Sequence, residues 1–293
     1  MSWFSSLADI CQPDAPLAEH TWYGLGGPAR WLFTPRDERG LAAVLGACAQ
    51  HGIPCRMLGH GANVLVRDAG FDGAVIKLTG PAWEEVRFDD PLVHAAAGAD
   101  FPRLVKQTVE RGLLGLESLA GIPGTVGGAV RMNAGGRYGS IGQFVRDARI
   151  MKPDGAVLTR TAAELGFAYR ACELNDAIVL AATFTLQSGD RTAGLERFRR
   201  IWNEKYASQP AVSVKSAGCI FKNPPGQAAG KLIDEAGLKG VQSGGAEIST
   251  KHANFIVADS GARAQDVINL IELAQRRVRE RTGIELELEV EIW

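Results

Sequence analysis

Gly121-Ile-Pro-Gly-Thr-Val-Gly-Gly-Ala-Val-Arg-Met-Asn-Ala-Gly-Gly-Arg-Tyr-Gly139 is the stretch on which the fold turns. It holds seven glycines in nineteen residues, interleaved with Ile122, Val126, Ala129, Val130 and Met132 rather than with serine or other polar spacers. That composition excludes a flexible linker. Glycine in such a run serves positive φ or a close approach of the backbone to a neighbour. Successive N–H groups turned to one side form a concave anion site, and a pyrophosphate is a natural occupant. A tight packed turn without a ligand is the competing reading, which one Gly-rich turn does not exclude.

A second such stretch runs Leu58-Gly-His-Gly-Ala-Asn-Val-Leu-Val-Arg-Asp-Ala-Gly-Phe-Asp-Gly-Ala-Val-Ile-Lys-Leu78. The Rossmann fingerprint requires a Gly-rich turn that opens a helix, and here the turn opens a strand at Val64–Val66. The phosphate-binding P-loop fails as well. Gly226 to Lys231 is one residue short of its pattern, and Leu232 stands where a magnesium-binding hydroxyl is needed. Two Gly-rich turns of β type, ~60 residues apart, can instead close on a dinucleotide from two sides.

The chain of 293 residues exceeds one ordinary core and suggests two or three domains. Its 46% hydrophobic content is enough to fill them. Lys and Arg number 32 against 33 Asp and Glu, with no long run of either sign, which argues against nucleic acid as a partner. Met1-Ser-Trp-Phe-Ser-Ser lacks a basic leader pattern and no apolar run approaches eighteen residues, so neither secretion nor a membrane span is expected. The cysteines, Cys11, Cys48, Cys55, Cys172 and Cys219, are odd in number and form no C-x-x-C pair, which fits a reducing cytoplasm. His20, His51, His60, His94 and His252 show no ligand spacing, and no metal is expected.

Hydrophobic spacing predicts a helix from Thr34-Pro35 to Gly52 with Leu41, Val44, Leu45 and Cys48 inward, followed by short strands at 55–58, 64–66 and 74–78. Strands at 83–88 and 93–97 precede a helix capped by Asp100 and closed by Gly112. Further strands are expected at 148–151, 157–159 and 178–186, with a capping-box pattern at Thr161-Ala-Ala-Glu164. Helices at 191–207, 230–236 and 264–281, a strand at 253–257 and a last strand at 284–292 complete the chain. The fold class is α+β, divided as 1–80, 81–188 and 189–293.

The two Gly-rich stretches resemble the first and second flavin-binding segments of the UDP-N-acetylenolpyruvoylglucosamine reductases (MurB). Further matches to that family are Thr21-Trp-Tyr-Gly-Leu-Gly-Gly-Pro-Ala29, Tyr169-Arg170, Gly218-Cys-Ile-Phe-Lys-Asn-Pro224, Gly244-Gly-Ala-Glu-Ile-Ser-Thr-Lys-His-Ala-Asn254 and Leu286-Glu-Leu-Glu-Val290, in the family's order. The short interval from Arg170 to Cys219 resembles the subclass without an extra tyrosine-bearing loop.

The resemblance implies the FAD-binding fold of the p-cresol methylhydroxylase and vanillyl-alcohol oxidase type plus a C-terminal substrate domain, 189–293, whose last strand, 284–293, returns to the active site. It implies NADPH as hydride donor and UDP-N-acetylglucosamine enolpyruvate as substrate. Hydride passes from flavin N5 to the enolpyruvyl β-carbon and a proton goes to the α-carbon, giving UDP-N-acetylmuramate, a peptidoglycan precursor. A monomer without nucleic-acid or membrane partners is expected. FAD contacts fall on Leu58, Gly59, His60, Gly61, Ala62, Asn63, Val64 and Leu65, and on Gly121, Ile122, Pro123, Gly124, Thr125, Gly127, Gly128 and Ala129. Substrate contacts fall on Tyr138, Tyr169, Lys222, Asn223, Glu247, Lys251 and His252, with Asn254 near the same pocket.

Hydride addition leaves negative charge on the α-carbon and its carboxylate, so a cation or acid and a proton donor are needed there. The resemblance assigns the cation to Arg170, whose planar fork suits a carboxylate, and the acid to Glu289. Alternation alone does not separate Glu289 from Glu285, Glu287 and Glu291. Cys219 stands where many members carry the serine that donates the proton, and a thiol, with an ordinary pKa of about 8.5, is the stronger acid. Cys172, another departure from serine, reads as packing. Two other functions stay open at this point: an oxidase of the same fold with FAD tethered through His60, and a nucleotide-sugar binding protein without turnover.

Overall fold

The structure is a computed structural model and describes residues 4–293. The Met1-Ser-Trp part of the leader reading therefore lies outside the described residues. The chain forms two compact units. One comprises residues 4–13, Trp31–Gly59 and Gly73–Glu204; the other comprises Asp14–Arg30, His60–Asp72 and Lys205–Trp293.

A sheet whose residues fall mostly in the first unit orders its strands Cys11–Pro16, Pro28–Phe33, Phe71–Ile76 and Cys55–Met57, the last two parallel. Helix Glu38–Gln50 buries Leu41, Val44, Leu45 and Cys48, as their spacing predicts, in a core with Phe33, Ile76 and Trp83. Its cap is Asp37 rather than Thr34, because Asp37 Oδ1 accepts the Gly40 N–H at 2.8 Å. A second sheet is antiparallel throughout, in the order Val157–Thr161, Val145–Met151, Ile178–Thr185, Leu92–Ala96 and Val86–Asp89. Helix Phe101–Glu110, capped by Asp100 Oδ1 on the Arg103 N–H at 2.7 Å, shares a core with it through Leu104, Val105 and Phe184.

The Gly-rich stretch departs from the expected β-type turn. Its middle is a short helix, Val126–Arg131, with Thr125 Oγ1 accepting the Gly128 N–H at 3.3 Å. Close packing is the physical reason. The Gly127 N–H donates to the Ala97 carbonyl at 2.8 Å, and a Cβ on Gly127 would stand 2.9 Å from the Ala97 Cβ. At Thr161 the two bonds of a capping box form, Thr161 N–H to Glu164 Oε2 at 2.8 Å and Glu164 N–H to Thr161 Oγ1 at 3.4 Å, yet they close a single turn and no helix follows.

In the second unit, strands Gln242–Ser243, Ala246–Ile248 and Ile256–Ala258 make an antiparallel sheet beside helices Ala229–Glu235 and Ala264–Thr282. Asp68 starts the long helix by accepting the N–H groups of Ala264 and Gln265 at 2.9 and 3.0 Å. Gly283 ends it in the left-handed conformation. Tyr23, Leu65, Phe221, Ile233, Val267 and Val278 belong to this unit's core.

The expected strand at 284–292 is mostly absent. Glu291–Ile292 pairs parallel to Val64–Leu65, and Leu288 makes an isolated antiparallel bridge to Phe221. Residues 284–290 are irregular, because their backbone bonds go to the short segment 220–222: Lys222 N–H to Glu287 O at 2.9 Å and Glu289 N–H to Ile220 O at 2.8 Å. Leu286 and Val290 still enter the core, which satisfies the alternation without a ladder.

Gly127→Ala is expected to lose about 1–3 kcal/mol by overpacking, read as a lower urea midpoint for the whole protein.

Candidate active site

Within the first unit the two Gly-rich segments meet. A Cβ on Gly59 would lie 2.8 Å from Thr125 Oγ1, so the turn after Leu58 touches the cap of helix Val126–Arg131 through bare backbone. Gly124, at φ +117°, borders open space, and so does Gly136. Past Gly59 the chain enters the second unit. There Gly61 accepts the Trp22 N–H at 3.1 Å, and any Cβ on it would strike the His20 carbonyl. Thr21, whose Cα lies against the same Gly61 position, has a buried Oγ1 with no hydrogen-bond partner.

Tyr169 and Arg170 form a reversal closed by mutual backbone bonds between Ala168 and Ala171 at 3.1 and 3.2 Å. Arg170 takes φ +55°, a conformation costing an L-residue of order 1–2 kcal/mol, and its guanidinium lies 5.2 Å from the exposed Tyr169 ring. The reversal is held by Asn133, which the sequence reading passed over. Its buried amide donates to Ala168 O at 2.7 Å and accepts the Gly142 N–H at 3.0 Å. An asparagine inside a Gly-rich run, here at φ +40°, is the signal that was available. Tyr138 is engaged elsewhere, donating its hydroxyl to Glu204; that bond holds the phenol above its ordinary pKa. Cys172 packs on the core of this unit, and burial pushes its thiol up to about 11, in keeping with a packing role.

The second unit contains a cavity of about 320 Å³ lined by Cys219, Asn223, Lys251, His252 and Asn254 among the expected residues, and by Lys231, Asp234 and Lys239, which were not expected. Lys231 had been weighed only as a failed P-loop lysine. Its signal was position, one residue past Gly230, where a Cβ would press on His252. Lys222 and Glu247 do not line the cavity. Lys222 pairs with Glu287 at 3.5 Å, and Glu247 accepts from Gln242 at 2.9 Å. Lys251 donates to the Tyr206 carbonyl at 2.6 Å. Burial, then the Lys239 charge, holds the His252 imidazole below its ordinary pKa of 6.5.

Asn254, on the cavity wall, also braces the backbone beside it. Its Oδ1 accepts the Phe221 N–H at 2.9 Å, its Nδ2 donates to Phe221 O at 2.8 Å, and its own carbonyl takes the Ile220 N–H at 2.8 Å. Ile220 in turn accepts from Glu289, whose carbonyl receives the Asn63 side chain at 2.9 Å. The structure also separates the four glutamates: Glu285, Glu287 and Glu291 are exposed, and Glu289 is half-buried.

Residues 29–161 match the family model of an FAD binding domain, and residues 209–293 match the model of the UDP-N-acetylenolpyruvoylglucosamine reductase C-terminal domain. A curated UDP-N-acetylenolpyruvoylglucosamine reductase of Anaeromyxobacter dehalogenans is 45% identical over 95% of this chain and 84% of its own length. Reductase 2 of Symbiobacterium thermophilum is 40% identical over 95% and 90%. The crystal structure of MurB from Thermus caldophilus superposes with a TM-score of 0.83 at 41% identity, covering 95% of this chain and 97% of that one. The chain belongs to the UDP-N-acetylenolpyruvoylglucosamine reductase family. It is an FAD-dependent oxidoreductase of α+β FAD-binding fold. A glucose dehydrogenase, Phl p 4.0202, shares that fold at a TM-score of 0.52 and 15% identity over 65% of this chain.

The residues present fit the reductase family's flavin. In the first unit the bare backbone at Gly59 and Gly124 and the space at Gly136 are features a polar cofactor would use; in the second unit, taken by itself, the unpartnered Thr21 hydroxyl beside Gly61 is another. Leu58 and Leu65 are core side chains that support these turns.

Two outcomes follow for the second unit. Asn254→Ala leaves the Phe221 N–H and C=O buried and unpaired, with an expected loss of about 2–5 kcal/mol on urea unfolding. The pH dependence of stability reports His252. Folding favours its neutral form, so the unfolded chain binds the extra proton; this stability is complete above about pH 6.5 and falls as the pH drops below that value. His252→Gln should flatten that acid limb.

Proposed function

We propose that this reductase family member converts UDP-N-acetylglucosamine enolpyruvate to UDP-N-acetylmuramate with NADPH, as a cytoplasmic monomer. The observation that carries the reading is the thiol of Cys219 in a cation-lined cavity, on a segment bonded to the backbone of Glu289. In this reading residues 1–80 and 81–188 are the two FAD-binding subdomains and 189–293 the substrate-binding domain.

FAD, when bound and reduced by NADPH, supplies the hydride added to the enolpyruvyl β-carbon. Cys219 gives its proton to the α-carbon as charge builds there. Arg170 pairs with the substrate carboxylate through its planar fork, and its strained backbone, fixed by Asn133, limits the directions it can point. Glu289 hydrogen-bonds the same carboxylate in its acid form, which increases electron withdrawal from the double bond. Lys231, Lys239 and Lys251 supply positive charge for the diphosphate, and Asn223 and His252 supply polar contacts on the same wall.

Family likeness of 40–45% across the length separates this reading from an oxidase with a flavin tethered at His60. In anaerobic stopped-flow, NADPH should bleach the flavin and the enolpyruvyl substrate should restore its absorbance. Cys219→Ala should keep the first step and slow the second about 10²- to 10⁴-fold, and Cys219→Ser should recover most of the loss. A flavin that stays reduced with this substrate and reoxidises only in air would overturn the assignment.

A further inference from the structure

Tyr206 stands in the last turn of helix Arg191–Ser208, in the part of that helix that belongs to the second unit, and 65% of its surface is exposed. A ring left in water to that extent becomes a contact surface where a neighbouring group selects its partner. Here the neighbour is Lys251. Its ammonium donates to the Tyr206 carbonyl at 2.6 Å and lies 5.4 Å from the centroid of the Tyr206 ring, and the residue lines the cavity. Lys251 is held from behind as well. Its N–H and that of His252 both donate to the Oγ of buried Ser249, at 3.2 and 3.4 Å. Cation and ring are thus fixed side by side, with Lys251 in the cavity lining and Tyr206 one residue beyond it.

We propose that Tyr206 is the stacking surface for the base of the substrate's nucleoside diphosphate, the uracil of its UDP half. The inference rests on the assignment of the cavity lysines to the diphosphate. Lys231, Lys239 and Lys251 bring three ammonium groups to one wall, a charge pattern complementary to that group. In a nucleoside diphosphate the base follows the α-phosphate after a single ribose. Its surface is therefore needed next to the cations and not among them, which is where Tyr206 stands. The bond to Tyr206 takes one of the three protons of the Lys251 ammonium, so phosphate oxygens can take others. One lysine thereby ties the phosphate position to the ring position. Val212 and Val214 are exposed on the following segment but present no planar face. A base on an aromatic ring gains affinity through stacking, without hydrogen-bond readout of its edges.

The test separates the base from the diphosphate. The FAD-loaded full-length protein is titrated by calorimetry with UDP and, separately, with inorganic pyrophosphate. Tyr206→Ala should weaken UDP binding about tenfold or more and leave pyrophosphate within about twofold, since loss of one stacked base contact costs about 5- to 150-fold in affinity. Tyr206→Phe keeps the ring and should bind UDP as the wild type does. Equal losses for both titrants in Tyr206→Ala would mean that the residue acts only through Lys251 and would overturn stacking. An unchanged UDP affinity in Tyr206→Ala, or a full loss in Tyr206→Phe, would overturn it too. NADPH carries a diphosphate and a base of its own, so the concentration dependence of flavin bleaching is measured on the same variants. A loss there together with the UDP loss upholds the stacking surface and lets the dinucleotide share it, whereas a loss there alone overturns the assignment to uracil. A wild-type protein that binds neither UDP nor pyrophosphate would overturn the lysine assignment itself, a result distinct from the failure of Tyr206.

Discussion

The side-chain amide of Asn254 is the interaction on which the second unit's site depends. A carboxamide offers one donor and one acceptor at the spacing of a peptide group, so it can stand in for a missing strand. Asn254 does this for Phe221, satisfying both its N–H and its C=O in a buried setting. Backbone groups left unpaired there would cost more than any one bond gains. Fixing Phe221 fixes its neighbours: Ile220 is turned toward Asn254 and Glu289, and Cys219, one residue earlier, lines the cavity. The position of Cys219 on the cavity wall is thus set through the backbone bonds of Asn254, another residue of that wall.

The first unit reaches the same result with the same residue type. Asn133 bonds the Ala168 carbonyl with its amide nitrogen and the Gly142 N–H with its oxygen, which joins the end of the Gly-rich stretch to the reversal that carries Arg170. An arginine at positive φ relaxes to the ordinary region unless its surroundings overrule it. The paired bonds of Ala168 and Ala171, anchored by Asn133, supply that constraint. Asparagine suits both places because its short side chain orders at little entropic cost while keeping two hydrogen-bonding ends.

Much of the scaffold was legible from side-chain spacing. The inward faces of Glu38–Gln50 and Ala264–Thr282 emerged as their periods required, since helical burial depends on local residues alone. Features that depend on distant partners were not legible. Asp37 displaced Thr34 as a cap because its carboxylate met the Gly40 N–H. The Gly-rich stretch became a helix because Gly127 could lie directly against Ala97. Glycine content announced close approach without naming the neighbour. The cavity lysines were hidden for a related reason: Lys231 and Lys239 look like surface charges in sequence, and only the fold of the segment around them puts them in the lining that Cys219 shares.

The C-terminal run shows where periodicity stops carrying information. Alternating apolar residues and glutamates from Ile284 to Ile292 describe a half-exposed strand in which four glutamates are equivalent. A full ladder would have kept them so, each pointing to solvent from the same face. The partner segment is too short for a ladder, and the chain instead bends through separate bonds to Lys222, Ile220 and the Asn63 side chain. Bending breaks the equivalence. Glu289, whose N–H and C=O are both taken by those contacts, is drawn to a half-buried position while Glu285, Glu287 and Glu291 remain exposed. The irregularity that defeats the strand reading is therefore what sets one glutamate of the four apart in burial.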